Sequence, residues 1–192
     1  MKSPPIKDQS QDETSIKEFL YEIKVPKDRI AVVIGVKGDV KKQLQEFGAC
    51  SIDIDSREGL ITVKGNDSLK LFTIQNIIKA IGRGFNPEIA QLLLKQDYAL
   101  EIISLNEFNP KKTHQIRLKG RIIGEKGKSR RMIEQLTGTF ISVYGKTIAI
   151  IGVVDSVVTA KRAVESLLTG SKHATVYKWL EKQRRLADNV DF

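Results

Sequence analysis

Residues 120–138, GRIIGEKGKSRRMIEQLTG, decide the fold. At the centre is a glycine-x-x-glycine loop, Gly124-Glu125-Lys126-Gly127. Ile122 and Ile123 lead in, and Met132, Ile133 and Leu136 follow at spacings that share one helical face. Two glycines three apart between helical segments let the backbone turn sharply with no Cβ in the way. The peptide N–H groups at the start of the second helix then face an anion. The flanks identify that anion as phosphate. Lys111, Lys112, Arg117, Lys119, Arg121, Lys126, Lys128, Arg130 and Arg131 stand against one acid, Glu125. This is the electrostatic footprint of a protein that holds a nucleic-acid backbone. Gly127-Lys128-Ser129 also matches the end of a nucleotide-binding P-loop. That motif needs glycine where Ile122 stands and a strand, not a helix, upstream. A nucleoside triphosphatase is rejected.

The order I-I-G-x-x-G-x-x-x-x-x-I followed by T-G-T-x-I-x-V resembles the KH domain, a module that binds single-stranded RNA or DNA. In such domains the loop clamps the backbone of about four nucleotides while the bases lie in an adjoining groove. The resemblance implies RNA contacts at Arg121, Ile122, Ile123, Gly124, Glu125, Lys126, Gly127, Lys128, Arg130 and Arg131, and at Ile141 and Val143 on the strand that follows. For Ile122, Ile141 and Val143 the pattern leaves two roles open: core, or floor of the groove under the bases.

The same order occurs earlier in the chain. Tyr21–Val25 reads as a strand closed by Pro26, and Lys27–Ile34 as a short helix. The loop Gly35-Val36-Lys37-Gly38 leads to a helix over Asp39–Phe47, stopped by Gly48. Two strands and a helix capped by Asp67 complete the unit, with Leu71, Ile74, Ile77, Ile78 and Ile81 as its buried stripe. In the later copy, Asn109-Pro110 reads as cap and first turn of the helix that reaches Gly124. Gly35 and Gly124, Gly38 and Gly127, Leu44 and Ile133, and Ile52 and Ile141 all match at an offset of 89 residues. The expected fold is α+β: two tandem type I KH domains, each β-α-α-β-β-α with a three-stranded antiparallel sheet packed on helices, and a C-terminal helix. The expected division is a disordered tail over 1–18, a first domain over 19–82, a linker with a docking helix over 83–98, a second domain over 99–170, and a C-terminal helix and tail over 171–192.

Charge separates the copies. Of the net +9 carried by 192 residues, residues 1–99 hold 15 basic and 14 acidic side chains, and residues 100–192 hold 17 and 9. The anionic partner is therefore assigned to the second half. The first loop is followed by Asp39 where a basic residue is usual, so Gly35, Val36, Lys37 and Gly38 are expected to be a weaker RNA contact at most.

One cysteine, Cys50, excludes an internal disulfide and a cysteine-rich zinc site, and points to a reducing, cytoplasmic setting. No apolar run is long enough to suggest a transmembrane span or a secretory signal. His114 and His173 are the only histidines and have no metal-ligand spacing. No paired carboxylates or Ser-His-Asp set stand out, so no catalytic residue, metal or cofactor is assigned and no enzyme is expected.

The R-G-F-N-P linker (residues 83–87) and the G-K-S-R-R run (residues 127–131) make the whole chain resemble the two-KH pre-ribosomal RNA processing factors of archaea and eukaryotes, partners of the Nob endonuclease. That resemblance implies binding near the 3′ end of small-subunit ribosomal RNA. It also implies contact with the endonuclease that trims this end and with the α subunit of translation initiation factor 2. A protein-interaction adaptor and a single-stranded DNA or messenger-RNA regulator are the alternatives. The charge split argues against the first, and a comparison of RNA with DNA separates the second.

Overall fold

Alternation with period two and apolar spacing of three to four residues recur in the same order, and they build the same unit twice. The computed structural model describes residues 18–188. The first unit runs β1 (Phe19–Lys24), α1 (Lys27–Ile34), a 3-10 turn (Val36–Gly38), α2 (Asp39–Gly48), β2 (Ser51–Asp55), β3 (Leu60–Gly65) and α3 (Ser68–Gly82). A link of α4 (Pro87–Ala90) and a 3-10 turn (Gln91–Leu94) follows. The second unit comprises β4 (Tyr98–Ser104), α5 (Leu105–Phe108), α6 (Lys112–Ile123), a 3-10 turn (Glu125–Gly127), α7 (Lys128–Thr137), β5 (Phe140–Tyr144), β6 (Thr147–Val153) and α8 (Val154–Leu168). Helix α9 (His173–Asp188) closes the chain. Both sheets are antiparallel, ordered β1-β3-β2 and β4-β6-β5. The expected α+β architecture, two three-stranded sheets packed on helices with a C-terminal helix, is what the chain adopts. The tail expected over 1–18 lies outside the described residues except for Glu18, as do residues 189–192.

Three local expectations change. The helix before the second loop does not open at Asn109-Pro110. Asn109 is extended at the end of α5, its side chain accepts the Lys111 N–H, and α6 starts at Lys112. Gly48 does not stop α2. It stays helical and buried because Ile74 and Cys50 leave no room for a Cβ, and Ala49 takes the left-handed turn at φ +46°. At the matching place in the second unit, Gly138 turns at φ +66°. The docking helix expected within the 83–98 linker is a single α turn, Pro87–Ala90, that tightens into 3-10 geometry and ends at Leu94.

Helix α3 begins where Asp67 accepts the Leu69 and Lys70 N–H groups. Its stripe Leu71, Ile74, Ile77, Ile78 and Ile81 is fully buried. Strand β6 is buried on both faces. Ile148 and Ile150 point into the core of their own unit. Ala149 and Ile151 point into the core of the first, beside Phe85, Ala90 and Leu93. Tyr98, Leu100 and Ile102 on β4 pack against that same first core. The outer face of the second sheet is thus the floor on which the link and the turn after α3 sit. Each large aliphatic side chain buried there contributes about 1.5–3 kcal/mol. Polar contacts frame the joint. The Ser142 hydroxyl donates to the Arg83 carbonyl at 2.8 Å, and the Tyr144 hydroxyl donates to the Asp28 carboxylate. That hydrogen bond raises the Tyr144 pKa above its ordinary value.

Candidate nucleic-acid interface

The two glycine loops have one backbone. Gly124 (φ 70°, ψ 177°), Lys126 (49°, 28°) and Gly127 (78°, 14°) repeat Gly35 (76°, 177°), Lys37 (54°, 22°) and Gly38 (80°, 17°). A Cβ at Gly124 would stand 2.8 Å from the Ser129 backbone nitrogen, so only glycine lets α6 end so close to the start of α7. No side chain caps α7, and its first N–H groups are left for an outside acceptor.

What differs is charge. Glu125, Lys126 and Lys128 are exposed around the second loop, and the Arg131 guanidinium lies over Gly127, where an added Cβ would stand 3.1 Å from Nη1. At the place of Lys128 the first loop has Asp39, whose carboxylate turns inward to accept the Val40 N–H at 2.7 Å. The cleft beside that first loop carries Asp39 and Glu88, and Gln91 on the link donates to Gln43 on α2 across it. One loop offers bare N–H groups among cations; the other has a carboxylate at its helix start.

The residues singled out from sequence fall into two sets. Ile122 and Ile141 are 0% and 2% exposed, so they are core and have no surface to offer a base. Arg121 is turned away from the loop. Its guanidinium donates to the Leu167 carbonyl at 3.0 Å and the Ser171 carbonyl at 2.7 Å, securing the end of α8. Arg29 does the same for the first unit, donating to the Ile81 and Phe85 carbonyls. Arg130 leans back toward Glu134, with Nε 3.6 Å from Oε2. Ile123, Gly124, Lys126, Gly127, Lys128 and Arg131 remain at the accessible loop, and Val143 is half-buried beside the second core.

Sequence reasoning missed the neighbouring face. Along α6, Ile116 (57% exposed), Lys119, Gly120 and Ile123 (37% exposed) form one stripe. Lys119 Nζ donates to the Gly145 carbonyl at 3.3 Å, which brings this stripe against the β5–β6 turn. Gly120 would meet nothing within 4 Å if it carried a Cβ, so the helix is bare there and open to a planar group. Opposite lies β5, the edge strand. The Ile141 N–H is already taken by the Glu134 carboxylate at 2.8 Å. By the alternation of the ladder, Val143 presents its N–H and C=O on that same open side. An exposed isoleucine in a helix next to a helical glycine was the signal available in the sequence. The face combines an apolar floor, a backbone donor–acceptor pair and a cationic loop, the parts needed to hold bases by one edge and phosphates by the other.

Comparison with known proteins finds two KH segments. Residues 99–185 match the family model described as a eukaryotic type KH domain of type I, and residues 20–80 match the KH domain model. A KH domain-containing protein of Methanocaldococcus jannaschii is 47% identical over 174 residues, covering 88% of this chain and 76% of the relative. Dim2p from Pyrococcus horikoshii, in a crystal structure of an a/eIF2alpha–aDim2p–rRNA complex, superposes with a TM-score of 0.81 at 42% identity. That match covers 88% of this chain and 95% of the other. A protein of unknown function from Aeropyrum pernix superposes with a TM-score of 0.85 at 34% identity, over 91% and 95% of the two chains.

Proposed function

Because this chain belongs to the two-KH-domain family that includes archaeal Dim2p, we propose that it is an RNA-binding ribosome-assembly factor that grips the 3′ end of small-subunit ribosomal RNA through its second KH domain. The single observation that carries the assignment to the second domain is the pair of loops. They share one backbone, but Lys128 stands in one where Asp39 stands in the other. A phosphate is attracted to the helix start at Gly127 and repelled from the helix start at Gly38.

Phosphates lie against the N–H groups of the loop, with Lys126, Lys128 and Arg131 around them. Bases lie between the Ile116–Ile123 stripe of α6 and the open edge of β5. The first domain serves as scaffold, and its loop keeps the fold without the charge. The α subunit of translation initiation factor 2 and the rRNA 3′-end endonuclease are carried over as protein partners, the former because the Pyrococcus horikoshii protein crystallised with it and rRNA. The assignment implies work in the cytoplasm. No described helix is long and apolar enough to cross a membrane.

The test is a titration with RNA of the small-subunit 3′ end, a scrambled RNA and DNA of the same sequence, followed by crosslinking and mapping of the attached peptides. Preference for the first RNA with crosslinks in residues 116–143 supports the reading. Crosslinks concentrated in residues 35–43, or equal affinity for all three nucleic acids, overturn it.

A further inference from the structure

The two units depart from their repeat at one place. Lys24 matches Ser104 at an offset of 80, whereas Gly35 matches Gly124 at 89, so nine extra residues lie between the first strand and the loop of the second unit. In place of Val25-Pro26, residues 105–115 form α5, the 109–111 bend and the first turn of α6. Gln115, 3% exposed, pins them: its side-chain amide donates to Asn106 Oδ1 at 2.7 Å and to the Asn109 carbonyl at 2.9 Å. The result is a cleft of about 560 Å³ on the flank of α6 opposite the Ile116–Ile123 stripe.

The chemistry of that cleft is specific. Its apolar surface comes from Phe108, Leu118 and Leu168, and its polar reach from His114 and Arg117, three residues apart on one helical face. No carboxylate lines it. Other clefts differ on this point: Asp155 lines the one at the end of α9, Glu165 the one under Trp179, and Asp39 and Glu88 the one by the first loop. Among the described residues the Arg117 side chain meets no carboxylate within salt-bridge distance. The wall at Thr169 and Gly170 is held by Arg121, which fixes the carbonyls of Leu167 and Ser171 on either side. An aromatic ring, aliphatic walls and an uncommitted guanidinium suit a nucleotide, base inside and phosphate at Arg117.

We propose that this cleft is a second RNA subsite, which takes one nucleotide of the strand held by the glycine loop. The inference rests on the RNA-binding reading of that loop. Seven residues of helix separate Arg117 from Gly124, about 10 Å along the axis. With about 10 Å more across the helix to the opposite flank, the path is about 15–20 Å. That is the span of about four to six stacked nucleotides at ~3.4 Å each, which a decamer supplies beyond the nucleotides in the groove and a pentamer does not.

Length dependence tests it. A five-nucleotide RNA fills the loop and groove, and a ten-nucleotide RNA with the same centre reaches the cleft. In the full chain, Arg117→Ala and Phe108→Ala should each weaken the decamer about five- to tenfold and leave the pentamer unchanged. Arg117→Lys should restore part of the loss. Lys126→Ala, at the loop, should weaken both oligonucleotides. Arg117 is exposed, so that variant stays folded even if Phe108→Ala does not. If Arg117→Ala binds both oligonucleotides as the parent does, the cleft serves something else, an acidic peptide for example, and the proposal falls while the loop reading stands. A parent protein that binds neither RNA overturns both.

Discussion

Lys128→Asp puts the charge of the first loop into the second without changing the backbone that the two loops share. Lys128 is the first residue of α7, exposed, directly after Gly127. A unit charge about 5 Å from a phosphate in a water-like dielectric is worth about 0.8 kcal/mol. Reversing it changes the interaction by about 1.7 kcal/mol, a loss of roughly 15- to 20-fold in affinity. For single strands each neutralised phosphate contributes about −0.7 to the slope of log K against log salt, so the slope should flatten by about that amount. Stability moves the other way. An acid in the first turn of a helix is favourable by about 0.3–1 kcal/mol, so the variant should melt at or above the parent's temperature. Titration with a cognate oligonucleotide at several salt concentrations, beside a thermal melt, gives both numbers. An unchanged affinity and slope would refute the assignment of phosphate to this helix start. A lowered melting temperature would refute the claim that the lysine is there for ligand and not for fold. Substituting Gly124 would be a poorer test, because a Cβ there collides with the Ser129 backbone and perturbs the fold itself.

The remaining expectations concern the frame. Ala49→Gly should stabilise the protein by about 1 kcal/mol, and Gly138→Ala should destabilise it by a similar amount, since both residues sit in the left-handed region; paired thermal melts check the opposite signs. Arg121→Ala should lower stability by about 1.5–3 kcal/mol through two lost carbonyl contacts and leave the salt slope of RNA binding untouched. Lys126→Ala should flatten that slope and leave the melt unchanged. Ile151→Ala should lower stability by about 2–5 kcal/mol. Hydrogen exchange should then show α3 and α8 losing protection together, because this side chain of the second unit fills the core of the first.

The repeat was legible because two glycines, a core aliphatic and a strand recur at one spacing, and because polar breaks mark where each element ends. The loop was legible for the same reason, and its charge could be counted directly. Direction around a helix was not. Arg121 and Ile122 sit beside the loop in the chain, yet the helical twist turns one toward the end of α8 and the other into the core. For Ile141 the sequence leaves core and groove floor open, because alternation names two faces without saying which is inside. Asn109-Pro110 does not open α6, because proline suits the bend before a helix as well as a first helical turn. A glycine at a helix end signals a stop, but Gly48 is in the last turn of α2 because Ile74 packs close against it. One further sign went unused. The unbroken run Thr147–Val153, TIAIIGV, lacks the alternation of a sheet with one wet face, and continuous hydrophobic strands are those buried on both sides.

That doubly covered strand has a mechanical meaning. A hinge needs a seam along which few contacts are lost when it opens, but here the seam runs through the interior of the molecule, and parting the halves would wet Ala149 and Ile151 along with Phe85 and Leu93. The two halves therefore act as a gauge block of set dimensions. In the role proposed above, whatever clasps the first half would fix the height and orientation at which the second half presents a strand of RNA. An error of one nucleotide in where that strand is offered would not be absorbed by bending between the halves. It would have to be corrected by sliding the RNA along the second half.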